Sequence, residues 1–139
     1  MRVRLVSCRS SDKAKKLLNS LGHVIPAWHD LPCAIGQERP EPCAPGPGGQ
    51  PCLYALVLKP RGRPGGWELA LQAAWVLEER AGAELNWAWS VRESGAVWLL
   101  ICPWAVKRGR RRWYWPGSGD LEALRELGAR WDRPGEDRN

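Results

Sequence analysis

Between residues 107 and 112 the chain reads Lys107-Arg108-Gly109-Arg110-Arg111-Arg112, five cations with no acid among them, and Trp113-Tyr114-Trp115 follows directly. Guanidinium groups take phosphate oxygens bidentately and stack on flat rings. Indole faces stack with nucleobases at about 1–3 kcal/mol each. Cations that track a backbone beside rings that take bases are the parts of a single-stranded nucleic-acid site. Lys59, Arg61 and Arg63 form a second, smaller group. These eight cations locate the charge: the 139 residues hold 21 Lys and Arg against 15 Asp and Glu, formally +6, and outside the two groups 13 bases face 15 acids. A cation cluster on a near-neutral body implies a polyanionic partner, which is nucleic acid, a nucleoprotein complex or an acidic protein surface. The plainer alternative is a solvated turn, because short basic runs are weak motifs.

The chain has ten Trp and no Phe. Trp87 and Trp89 are two apart, as are Trp113 and Trp115, so in strands each pair projects from one face, with Arg112 and Tyr114 on the other. Were the two strands neighbours, four indoles would line one sheet face beside the cations. A Phe-free core must also be built from Trp. Trp67, Trp75 and Trp98 therefore read as core, Trp131 as helix packing, and Trp87 and Trp89 as core ahead of ligand contact.

Five Cys is an odd count, and the first residues lack a secretory leader pattern, which together imply a reduced, cytoplasmic setting. Cys8 and Cys102 belong to apolar strands. His29, Cys33, Cys43 and Cys52 would make a Cys3His zinc set, but no tight Cys pair is present, so the spacing counts against zinc and no cofactor is expected. There is no phosphate-binding loop, dinucleotide fingerprint, zinc-protease motif or nucleophile elbow. A noncatalytic protein is the leading expectation. No run approaches the ~18 apolar residues of a membrane span.

The elements that must position these residues follow from periodicity. Residues 2–8 alternate as a first strand, and Ser10 or Ser11 caps a helix with Ala14, Leu17, Leu18 and Leu21 inward and Gly22 as its stop. Residues 32–66 hold eight Pro and seven Gly, with a Pro/Gly-rich loop over about 32–52. Within that region 53–58 is a second strand, ended by Lys59-Pro60. A helix over 67–81 carries Trp67, Ala70, Leu71, Ala74 and Leu77 as a core stripe. Residues 86–92 and 97–102 make a hairpin around a Gly-containing turn, and 111–115 adds a third strand after a basic turn at 107–110. Asp120 caps a last helix that turns Leu121, Leu124, Leu127 and Trp131 inward. The expected fold is α/β or α+β: one domain over 1–132, a mixed sheet of four to five strands with three helices, ordered β-α-β-α-β-β-(β)-α, then a charged tail from 133 to 139.

The run Cys8-Arg-Ser-Ser-Asp-Lys-Ala14-Lys-Lys-Leu17-Leu18-Asn-Ser-Leu-Gly22 resembles the active-site segment of glutaredoxins. Pro116-Gly-Ser-Gly-Asp120-Leu121-Glu-Ala-Leu124-Arg-Glu-Leu-Gly128 resembles their C-terminal end. The resemblance implies a thioredoxin-like fold, Cys8 as a nucleophile, Ser11 at the resolving position of a monothiol type, and Gly119 and Asp120 beside glutathione. It covers only these two segments, and the family's Val-Pro before the third strand has no counterpart, since Val97 is followed by Trp98.

Overall fold

In the computed structural model, which describes residues 1–8, 11–22, 24–26 and 53–133, the apolar run from Leu53 to Leu58 is buried at every position. A strand buried on both faces needs a layer on each side. This strand, β3 (Leu53–Lys59), lies between β1 (Arg2–Cys8) and β5 (Val97–Lys107). On the other edge of β5 lie β4 (Glu84–Val91) and then the two-residue β2 (Ile25–Pro26). The last strand, β6 (Arg110–Trp113), pairs with the C-terminal part of β5.

One face of the sheet is covered by α1 (Ser11–Leu21), whose Leu17 and Leu21 meet Leu53, Ala55, Ala88, Leu100 and Cys102. The opposite face carries α2 (Trp67–Ala81) and α3 (Ser118–Trp131). There Leu69, Ala73, Leu77, Leu124 and Leu127 join Tyr54, Leu56, Trp87, Leu99 and Ile101 in the larger core cluster. The Ala residues of α2 let its backbone approach the sheet closely, and Gly82, in the left-handed region at φ 64°, ends the helix with its N–H on the Glu78 carbonyl.

The result is an α+β domain with three helices in the expected element order, β2 being an added short strand. All described strand pairings are antiparallel, although the order had suggested a mixed sheet. The cause is insertion: β3 and β4, joined through α2, each pair antiparallel with β5, which lies between them. The two strands that run parallel therefore never exchange hydrogen bonds.

β5 also runs through Pro103 to Lys107, beyond the stop expected at Cys102. The register explains this: Glu84 faces Val106 and Asn86 faces Cys102, so two steps of β4 oppose four of β5. Pro103 sits in this bulge, and its carbonyl accepts the Tyr114 N–H at 2.8 Å, so its nitrogen faces the β6 edge just past the last β5–β6 pair, Trp104 with Trp113. α3 begins at Ser118, so Asp120 is its third residue and not its cap. No helix among the described residues is long and apolar enough to cross a membrane.

Candidate nucleic-acid interface

The basic run occupies the β5–β6 hairpin. Lys107 faces Arg110 across it, and the two residues between them, Arg108 at φ 51° and Gly109 at φ 75°, both take the left-handed conformation that a tight two-residue hairpin needs. Gly109 adopts it freely, whereas Arg108 does so against the clash of its own Cβ. The hairpin thus projects its cations at the end of the sheet: Arg108, Arg110 and Arg112 are exposed. Strand alternation puts Arg110 and Arg112 on one side of β6 and gives position 111 to the other.

Past the strand end, the Trp113 and Trp115 rings lie nearly parallel, 7° apart, with centroids at 6.3 Å. Trp115 in turn sets its ring against that of Tyr54 at 4.8 Å and 60°. Tyr54 is fully buried on β3, so the two indoles are tied through it to the core. Both indoles are half-buried.

Three side chains brace this arrangement: Tyr114, Asp120, which the sequence offered as a helix cap, and Arg80, which it did not single out. Arg80, near the end of α2, pairs through Nε with the Asp120 carboxylate on α3. The other Asp120 oxygen accepts the Gly117 N–H at 2.8 Å, the reach-back of a third-position acid to a helix start. Burial of Asp120 opposes ionisation, but the Gly117 N–H, Arg80 and the Tyr114 hydroxyl beside it outweigh that and hold the carboxyl below its ordinary value. Tyr114 is driven well above the usual phenol range, first by burial and then by Asp120. Tyr114 lies between the two indoles in sequence, yet it packs against the same α2–α3 cluster as Trp115, so strand parity no longer separates them past the end of β6.

The four-indole face is not assembled. β6 and β4 both meet Val106 of β5, so they lie on opposite edges of that strand and are not neighbours. Trp87 is 1% exposed within the α2–α3 core, and half-buried Trp89 packs against the same cluster. The core assignments of Trp67 and Trp75 are corrected too: they are 55% and 53% exposed. The buried stripe of α2 is Leu69, Ala70, Ala73, Ala74 and Leu77, which turns both indoles outward. Trp98 is half-buried under α1, and Trp131 packs in the core as a helix residue.

The second cation group lies far from the first. Lys59 follows Leu58, which faces Val97 at the start of β5, while Lys107 ends that strand; ten strand residues span about 33 Å. Lys59, Arg61 and Arg63 are exposed, but two of them also hold the chain in place. The Arg61 and Gly62 N–H groups donate to Asp132 Oδ1 at 2.7 and 3.0 Å, and the Met1 ammonium pairs with its Oδ2 at 2.9 Å. Burial raises the Asp132 carboxyl, but these donors outweigh it and leave it below its ordinary value. The Arg63 guanidinium lies 3.8 Å from the centre of the Trp131 ring.

Cys8 ends β1 and α1 starts at Ser11, so the backbone has the strand–helix order that the glutaredoxin resemblance implies there. Beyond it, β1 pairs antiparallel with β3. In that resemblance Asp120 would meet glutathione; here it is engaged by Arg80 and Gly117. His29, Cys33, Cys43 and Cys52, with the whole 32–52 loop and the tail beyond Arg133, lie outside the described residues. Among the described residues, no three His, Cys, Asp or Glu gather to hold a metal.

Comparison with protein-family models, with curated proteins and with solved structures finds no match to this chain.

Proposed function

We propose that this protein binds nucleic acid, alone or within a nucleoprotein complex, and does so without catalysis. The observation that supports this reading best is the exposed Arg108–Arg110–Arg112 set on a tight hairpin, directly followed by the stacked Trp113 and Trp115. The guanidinium groups take phosphates, and the indole pair, braced on Tyr54, offers a preset flat surface to a base. Such a surface suits single strands, whose bases are free to leave their own stack. Glu78, Glu79 and Glu84 flank Arg108, so phosphates favour Arg110 and Arg112, and because Trp113 alternates to the other side of β6 the bound strand crosses the edge of β6 to reach the indoles.

Anisotropy titrations of labelled single-stranded and duplex oligonucleotides test the reading. Tighter binding of the single strand, weakened by Trp113→Ala, is expected. Failure to bind either form, with retention of a poly-glutamate chain, would instead make the hairpin an adaptor for acidic protein surfaces.

A second reading rests on the backbone position of Cys8 before α1: a glutaredoxin-like thiol protein. An ordinary thiol pKa and no glutathione-dependent disulfide reduction would dispose of it.

A further inference from the structure

The outward side of α2 has a composition opposite to that of the hairpin. Trp67, Leu71 and Trp75 follow one another at four-residue spacing, so they form an inclined row about 12 Å long. Both indoles are more than half exposed and Leu71 is half-buried. Around the row stand Glu68, Gln72 and Glu79, all exposed. Past its C-terminal end, Glu78, Glu79 and Glu84 line a groove of about 570 Å³ with Gly82, Ala83, Arg108 and Gly109. Glu68, Glu79 and Glu84 have no ion-pair partner among the described residues. Arg108 is the one cation of that lining, and Arg80 is committed to Asp120. Burial, followed by nearby Glu84, lifts the Glu78 carboxyl above its ordinary value despite the Leu85 N–H it accepts at 2.9 Å.

Large indoles left in water among acids repel phosphate and attract cations, both through charge and through the faces of the rings. We propose that this side of α2 docks a cationic amphipathic segment of a partner protein. Apolar side chains one turn apart seat between Trp67, Leu71 and Trp75, and a Lys or Arg enters the groove of Glu78, Glu79 and Glu84. A second copy fits poorly. A two-fold interface presents a patch to itself, which here sets acid against acid. The exposed halves of two indoles offer only about 250 Å², against the ~800 Å² per partner of a stable interface. A short helix laid along the row needs far less. This inference does not depend on the nucleic-acid reading.

The probe is a fluorescein-labelled Leu/Lys amphipathic peptide, with a Leu/Glu peptide of the same pattern as control, titrated into the full chain. The expected result is binding of the Leu/Lys peptide alone, weakened at least about tenfold by Trp67→Ala with Trp75→Ala, and likewise by Glu79→Gln with Glu84→Gln. All four side chains are exposed or intermediate in burial, and unchanged thermal unfolding confirms that the variants fold. Arg110→Glu with Arg112→Glu, which reverses two of the five hairpin cations, should not weaken binding of the peptide. Equal peptide binding by wild type and both variant pairs would overturn the proposal. So would a concentration-dependent dimer abolished by Trp75→Ala, because the occupant would then be a second copy.

Discussion

Trp115 meets the buried Tyr54 ring edge-on at 4.8 Å, and the Trp113 ring lies nearly parallel to it at 6.3 Å. The two indoles therefore differ in what they hold. Trp115→Ala removes a contact with the core and should cost about 2 kcal/mol of stability, because a half-buried Trp gives up part of the 3–5 kcal/mol of a fully buried one. Trp113→Ala should cost less stability and weaken single-strand binding by roughly tenfold, the loss of one stacking surface. Urea unfolding and oligonucleotide titration on the two variants check the division. Equal effects on both readouts would contradict it.

Arg108 holds the left-handed conformation at the first turn position, where Asn is better suited than Arg. Arg108→Asn should raise stability by about 0.5–1 kcal/mol while leaving the salt dependence of nucleic-acid binding nearly unchanged, because the acids beside Arg108 keep phosphates on Arg110 and Arg112. Thermal unfolding and binding at several salt concentrations check the two expectations. A fall in stability would show that the Arg side chain contributes more than its backbone strain costs.

Asp120 and Asp132 have carboxyls held below their ordinary values in the folded state. A depressed folded value means that the ionised form stabilises the fold. That contribution is complete above the ordinary carboxyl range and is lost as pH falls through the depressed values. Urea midpoints should drop steeply in that acid window, and the acid limb should flatten in both Asp120→Asn and Asp132→Asn. Glu78 has the opposite sign: its raised value means that its ionisation weakens the fold as pH rises through it, so Glu78→Gln should gain stability at neutral pH. An acid limb unchanged by either Asp variant would contradict the roles assigned to Arg80, Gly117 and the N-terminal ammonium.

Arg63 sits over Trp131, at the end of the sheet away from the hairpin. Arg63→Ala should lose about 0.5–1 kcal/mol of stability, the value of an exposed cation–ring contact. It should leave binding of an oligonucleotide of about six nucleotides unchanged, since the two basic groups are about 33 Å apart. A longer strand that reaches both groups should feel the loss of Lys59 and Arg61.

Much of the fold was legible because periodicity reports it directly. The alternation of 2–8, the unbroken apolar run 53–58 and the helical spacing of Leu121, Leu124 and Leu127 each correspond to an observed element. The failures have physical reasons. The 67–81 helix is apolar on most of its circumference, so the side that meets the sheet is chosen by fit: Ala70, Ala73 and Ala74 allow close approach, and Trp67 and Trp75 are left outside. A proline reads as a strand end, yet Pro103 is absorbed by a bulge whose existence depends on the partner strand. The neighbours of β6 follow from sheet order, which no local pattern encodes. Within the site, the cations and the indole pair were visible as types, while Tyr54, Arg80 and Asp120, which anchor them, are assembled only by tertiary packing.

The most direct test of the nucleic-acid reading is the salt dependence of single-stranded oligonucleotide binding by wild type and by the triple variant Arg110→Glu, Arg111→Glu, Arg112→Glu. Counterion release by the hairpin cations should make log K fall with log salt by about 0.7 per phosphate neutralised, and the variant should show no measurable binding while its unfolding curve is unchanged. Equal affinity of the folded variant, or wild-type binding that does not respond to salt, would contradict the reading.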